Sequence, residues 1–237
     1  MGVLKYRNNK LIAIVIVIIV AMVGFIGANV SIDKETMNTN KGIKKILIDS
    51  GHGGMDGGTS SKDGTLEKNI NLSISKKLKV SLEKAGYEVV MTREEDMGLN
   101  STGGTIREKY IEDLKKRCLL KKSSNCDMFI SIHLNYFTQS KYYGAQVWYS
   151  SYKDSSMLAA TVQKNLKADL DPGNKRIQKA AKNSYRILRD NDIMPSVLVE
   201  CGFLSNNEEE QKLKSGDYQE KIAASISKSV GEFYKTN

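Results

Sequence analysis

The chain holds two histidines, and both stand where an apolar strand runs out. His52 follows Ile46-Leu47-Ile48-Asp49-Ser50-Gly51, and His133 follows Met128-Phe129-Ile130-Ser131-Ile132. A third apolar run, Val197-Leu198-Val199, leads straight into Glu200. Open α/β sheets place their chemistry outside the carboxyl ends of strands, so one sheet edge can receive two imidazoles and a carboxylate. Glu67 lies in the first turn of a helix that follows the His52 loop, and that turn can face the same edge. Two neutral imidazoles and one carboxylate make a three-ligand zinc site with the fourth position open to water. His52, Glu67 and His133 are the candidate ligands. Zinc so held acidifies water and polarises a carbonyl. A second carboxylate can then pass the water's proton to a leaving amine, and Glu200 is the candidate for that acid/base role.

Each of these residues alone has a commoner explanation. A lone histidine after a strand is more often structural, a first-turn glutamate usually answers the helix dipole, and an acid after a strand is often a turn residue. Their joint occurrence carries the reading, and no serine-elbow nucleophile motif competes. The glycines between them, Gly51, Gly53, Gly54, Gly57 and Gly58, do not form a phosphate cradle. The Gly-x-Gly-x-x-Gly pattern breaks at Asp56, and no lysine follows Gly58 as a Walker loop requires. They suit a loop whose backbone must approach an ion or substrate closely.

The elements that would position these groups alternate between strand and helix. Strands are expected at 46–49, 87–92, 128–132, 144–149 and 195–200, with 185–189 a short strand or turn. Helices are expected at 65–85, 105–122, 155–170, 206–214 and 218–234. Ile70, Ile74, Leu78 and Leu82 recur at helical spacing in the first helix, and Ile106, Tyr110, Leu114 and Cys118 in the second. This alternation predicts an α/β fold: a single-domain three-layer sandwich with a mostly parallel sheet flanked by helices. No repeat, low-complexity tract or second domain interrupts it.

Ahead of that domain, Lys5, Arg7 and Lys10 precede an uncharged apolar run from Leu11 to Ala28. Eighteen helical residues span about 27 Å, close to a bilayer core. The flanking charge puts the amino end inside and the rest outside. Residues 1–30 are therefore expected to be a signal-anchor or signal peptide, 31–43 a polar linker and 44–235 the catalytic domain, exported and facing the outside of the cytoplasm. Net charge is +9, of which the flank supplies three. The remaining excess is mild, and an anionic cell envelope, not nucleic acid, is the partner it suits. Cys118, Cys126 and Cys201 are too few for a disulfide framework. A Cys118–Cys126 bridge and free buried thiols both remain open, and Cys201 reads as core.

With these residues in view, the chain resembles the zinc-dependent N-acetylmuramoyl-L-alanine amidases of bacteria. The resemblance rests on Ile48-Asp49-Ser50-Gly51-His52-Gly53-Gly54 with Asp56-Gly57-Gly58, Leu66-Glu67-Lys68, and Val90-Met91-Thr92-Arg93. It continues through Ser131-Ile132-His133-Leu134-Asn135 and Val197-Leu198-Val199-Glu200-Cys201-Gly202-Phe203-Leu204-Ser205-Asn206. The family usually has proline where Ser50 stands. The resemblance implies zinc on His52, Glu67 and His133, with Glu200 as acid/base. It implies cleavage of the amide between N-acetylmuramic acid and L-alanine of the stem peptide in peptidoglycan. The pattern is most similar to the spore-cortex, germination-specific branch, through its amino-terminal membrane segment, its lack of wall-binding repeats and an arginine-containing insertion at about 97–117. That branch implies a part in cortex maturation and muramic δ-lactam formation. The rival readings are a zinc peptidase acting on stem peptides, an inactive cell-wall-binding module, and an enzyme that needs an activating protein partner. Arg93, Arg107 and Arg117 could meet stem-peptide carboxylates, although solvation or a helix ion pair is the commoner fate of such residues.

Overall fold

The computed structural model describes residues 42–101 and 103–236. The expected membrane segment and nearly all of the expected linker lie outside the described residues. Among the described residues, no helix is long and apolar enough to cross a membrane.

Six strands and six helices are formed among those residues. The strands are β1 (Lys45–Ser50), β2 (Glu88–Met91), β3 (Met128–Asn135), β4 (Gln146–Tyr149), β5 (Lys179–Ala180) and β6 (Ser196–Phe203). The helices are α1 (Glu67–Lys84), α2 (Ile106–Ser123), α3 (Ser155–Leu170), α4 (Arg186–Arg189), α5 (Asn207–Lys214) and α6 (Gly216–Thr236). The strands join one sheet in the order β2-β1-β3-β6-β4-β5. Every pairing is parallel except β4 with β6.

The pleat sorts the strand residues between two layers. Ile46, Ile48, Ile130, Ile132, Val197 and Val199 face one way and pack with Ile74 and Leu78 of α1, Leu158 and Val162 of α3, and Ile222 and Ile226 of α6. Leu47, Phe129 and Leu198 face the other way, against Cys118 of α2 and Ile187 and Leu188 of α4. Burying one such Ile or Leu side chain is worth roughly 1.5–3 kcal/mol, so the expected three-layer sandwich follows from two apolar faces on one sheet.

Three local expectations differ from the structure. Of the strand or turn expected at 185–189, the strand is not formed: Arg186–Arg189 is a single helical turn, α4, and the short strand lies earlier, at β5. β3 and β6 each continue three residues beyond their expected ends, so His133 and Glu200 lie within strands. The third difference is in α2, where a capping box between Thr105 and Glu108 fixes the start as expected. Its predicted apolar stripe, however, is buried only towards its end: Ile106 and Tyr110 are exposed, and the buried positions are Arg117, Cys118 and Lys121. Half of this helix is therefore held to the sheet by polar struts. Lys121 donates to the carbonyls of Ile187 and Asp190, at 3.1 and 3.2 Å, and ties α2 to α4.

Candidate active site

The same pleat that fills the second layer also builds the site. Asp49 in β1, Ser131 and His133 in β3, and Glu200 in β6 share the face that carries Leu47, Phe129 and Leu198. In the β3–β6 register His133 lies directly beside Glu200. Near the carboxyl ends of the strands, α2 and α4 leave a cavity of about 420 Å³. His52, Glu67, His133, Asn135, Tyr185 and Glu200 all line it.

Glu67 is the hinge of this arrangement. As the first residue of α1 it is buried, yet it answers no helix dipole alone. Its Oε1 lies 3.1 Å from His133 Nδ1 and accepts from the Leu134 backbone N–H at 2.9 Å. Its Oε2 lies 3.3 Å from His52 Nε2 and accepts from the Thr59 N–H at 2.9 Å. The two imidazoles meet edge to face, with centroids 4.9 Å apart. One ligand atom from each of His52, Glu67 and His133 lies within 4.8 Å of the others. Asp56 Oδ2, 2.7 Å from His52 Nδ1, fixes that ring with Nε2 turned towards the cluster. A carboxylate behind a ligating imidazole is the usual device for holding a metal-binding histidine. The donor set therefore fits zinc in type, number and support.

The loop is shaped around these groups. His52 itself adopts left-handed backbone, φ 61°, a conformation uncommon for any residue but glycine. Arg117 Nη2 donates to the His52 carbonyl at 2.6 Å and helps hold it there. Gly58, at φ +67°, has no room for a side chain: a Cβ would lie 2.6 Å from Glu67 Oε2 and 2.7 Å from His52 Cδ2.

Burial alone would lower the His52 pKa, but the hydrogen bonds and charges of Asp56 and Glu67 outweigh it and push it up to about 10. Burial would raise Glu67, and the two imidazoles instead hold it below the usual carboxylate range. Glu200 behaves oppositely. Burial, with the Glu67 charge adding to it, pushes its carboxyl up to about 7, although His133 pulls the other way. The Tyr185 hydroxyl donates to Glu200 Oε1 at 3.3 Å, while Oε2 is buried with no protein partner. One oxygen is thus held and the other is free to exchange a proton in the cavity.

Beneath the site lies a buried ion pair. Arg117 Nη1 is 2.8 Å from Asp49 Oδ1 and 2.7 Å from the Ser50 carbonyl, and Nε is 2.6 Å from Asp113. Asp49 also accepts from Ser131 Oγ at 2.6 Å and Thr92 Oγ1 at 2.9 Å. Arg93 spends its guanidinium on the carbonyls of Ser50, Gly51, Lys68 and Glu95. Arg93 and Arg117 are therefore buried scaffolding and not receptors for substrate carboxylates; Arg107 is exposed on α2. Cys118, Cys126 and Cys201 are all free and buried. Burial raises the Cys201 thiol far above its ordinary value, which suits core packing and not nucleophilic attack.

The four residues read from the sequence thus meet in one cavity. Asp56 and Tyr185 were missed as functional residues. Asp56 had a signal, an acid four residues after His52 inside the glycine loop. Tyr185 had none, since its partner Glu200 is reached only through the sheet.

Known proteins resemble this chain in sequence and in fold. A family model described as N-acetylmuramoyl-L-alanine amidase matches residues 46–232. The germination-specific N-acetylmuramoyl-L-alanine amidase of Bacillus subtilis is 36% identical over 195 residues, covering 81% of this chain and 80% of that protein. The CwlD amidase of Clostridioides difficile, solved in complex with the GerS lipoprotein, is 44% identical with a TM-score of 0.79, covering 82% of this chain and all of that one. An N-acetylmuramoyl-L-alanine amidase from Clostridium difficile 630 superposes with a TM-score of 0.72 at 33% identity, covering 82% and 98%.

Proposed function

Because the chain belongs to the N-acetylmuramoyl-L-alanine amidase family, we propose that it hydrolyses the bond between N-acetylmuramic acid and L-alanine of peptidoglycan at a zinc centre held by His52, Glu67 and His133. One observation carries this reading: the three donor atoms converge within 4.8 Å in the cavity that Glu200 also lines. Bound there, zinc would supply Lewis acidity for the attacking water and the amide carbonyl. Asp56 keeps the His52 ring oriented for the ion. Glu200 takes the proton of the attacking water at its unpartnered Oε2 and delivers it to the leaving L-alanine nitrogen. Tyr185 holds the other oxygen and so fixes the direction of that transfer. The products are a free lactyl carboxylate on the sugar and a stem peptide with a free amino end.

The finer reading places this reaction in spore cortex maturation, where peptide-free muramic acid is the precursor of muramic δ-lactam. The likeness to a germination-specific amidase supports it. The likeness to an amidase solved with a lipoprotein supports an activating protein partner of that kind. The apolar run Leu11–Ala28 behind a basic flank supports export and anchoring, with the catalytic domain outside the cytoplasm.

Mass spectrometry of peptidoglycan treated with the full chain and zinc, beside Glu200→Gln, tests the proposal. Intact stem peptides with L-alanine amino ends, together with peptide-free muramic acid, are expected from the parent and not from the variant. Shortened stems still attached to sugar would replace the amidase reading with a peptidase. Zinc-loaded protein that yields no product, alone or with a candidate lipoprotein partner, would leave only a binding module.

A further inference from the structure

The loop from β3 to β4 carries four exposed aromatic rings. Tyr136, on the wall of the reaction cavity, is followed by Phe137, Tyr142 and Tyr143, and each is between 37% and 48% exposed. The loop is tied down along its length. The Phe137 N–H donates to Ser205 Oγ, Asn206 Nδ2 to the Ser140 carbonyl, Arg176 Nε to the Tyr143 carbonyl, and the Gly144 N–H to Glu209. Phe137 meets Tyr142 edge to face at 4.9 Å, and Tyr142 stacks at 6.4 Å on the buried Phe203. The rings are held outward by a fixed scaffold and do not close into the core.

Lys141, Lys175 and Arg176 surround the far end of this shelf and line a shallow depression with Tyr142, Tyr143 and Asn174. No carboxylate lines it. Among the described residues, none of these three cations enters an ion pair. Arg176 instead lies over the Phe203 ring at 4.5 Å, and Lys141 over Tyr142 at 5.6 Å. Glu209, the acid under the loop, is buried and occupied by the N–H groups of Gly144 and Phe203. Three uncompensated cations beside outward aromatic rings are a site for a ligand with flat apolar faces and separate negative charges.

We propose that this shelf is a second subsite, which binds the peptidoglycan strand beyond the unit being cleaved. The proposal rests on the amidase reading above. Pyranose rings present C–H faces that stack on Tyr142 and Tyr143. The free carboxylates of a neighbouring stem peptide meet Lys141, Lys175 and Arg176. Tyr136 and Phe137 join the shelf to the reaction cavity, so one strand can occupy both. The enzyme therefore favours polymer over an isolated muramyl peptide.

The test compares the full chain with Lys141→Glu/Lys175→Glu, two exposed positions whose change leaves the loop's hydrogen bonds in place. The ratio of kcat/KM on long glycan strands to kcat/KM on a single muramyl peptide is expected to fall about ten-fold in the variant, the scale of two reversed surface charges acting on a multiply charged ligand. Co-sedimentation with insoluble peptidoglycan, read in the Glu200→Gln background, is expected to weaken with the same substitutions and with rising salt. An unchanged ratio together with unchanged co-sedimentation would overturn the subsite. So would unchanged co-sedimentation with loss of activation by a lipoprotein partner, which would make the shelf a protein-docking surface. If the parent hydrolyses neither substrate, the amidase reading fails, and co-sedimentation still decides the shelf by itself.

Discussion

Replacing Arg117 with methionine removes a charge that is spent on Asp49, Asp113 and backbone carbonyls, and it is expected to damage both stability and metal binding. The side chain is buried, and its partner Asp49 is buried with it. Asp49 would keep only the hydroxyl donors Ser131 and Thr92. Removing one member of a buried pair costs about 3–5 kcal/mol, a large fraction of the roughly 5–15 kcal/mol that holds a domain folded. The same guanidinium supports the His52 carbonyl, so the His52 ring should lose its fixed orientation and zinc affinity should fall about 10–100-fold. Urea unfolding of the full chain in chelator isolates the first effect, and zinc titration reads the second. The double variant Asp49→Leu/Arg117→Met removes both charges and should recover much of the lost stability. The pH dependence gives a further check. Burial works to raise the Asp49 carboxyl, but Arg117 and Ser131 hold it below its ordinary value. Its contribution to the parent is therefore present above the unfolded value of about 3.9 and lost as pH falls through the folded one. Without Arg117 the buried carboxyl is pushed upward and protonates more easily, so the gap between parent and variant should narrow between neutral pH and pH 5. A loss under about 1 kcal/mol, or a double variant as unstable as the two single losses added together, would refute the coupling.

Four other outcomes follow from the site. Because Glu200, pushed up to about 7, must be deprotonated to act as base, kcat/KM should fall on the acid side along a limb at or below that value, a bound dication drawing it lower. Tyr185→Phe should move the limb upward, since the phenol hydrogen bond favours the carboxylate, and a pH–rate profile that does not shift would remove Tyr185 from the mechanism. Asp56→Ala should weaken zinc binding by about 10–100-fold with little change in fold, as read by calorimetric titration against circular dichroism. Gly58→Ala should abolish zinc binding, because the added methyl falls on Glu67 and His52 and the backbone there is left-handed; a zinc-loaded alanine variant would contradict the geometry.

The sequence carried the alternation of strands and helices plainly, because two-sided burial writes apolar runs into β1, β3 and β6 and helical stripes into α1, α3 and α6. It carried His52, Glu67, His133 and Glu200 for a related reason: each follows or opens one of those patterned runs, although β3 and β6 go on past His133 and Glu200. The misses share a different cause. β5 has two residues and exists only because β4 offers an edge. α4 is one turn tied down by Lys121, a distant ammonium that a pattern of hydrophobicity cannot register. In α2 the buried face is carried by Arg117 and Lys121, so a search for apolar periodicity selects Ile106 and Tyr110, which are exposed. Arg117 reads as a surface cation until Asp49, far away in sequence, is placed beneath it.

The order of strands has a consequence for how the enzyme comes into being. β3 and β4 follow one another along the chain, yet in the sheet β6 lies between them. Most of the polypeptide must therefore be synthesised before the centre of the sheet can close, and until then β3 presents an open apolar edge of the kind that invites aggregation. Pairings this distant in sequence are slow to form. The strand that closes the gap also brings Glu200. A chain that has not yet reached β6 can carry both histidines and still lack Glu200, so the four residues that line the cavity meet only once the centre of the sheet is complete.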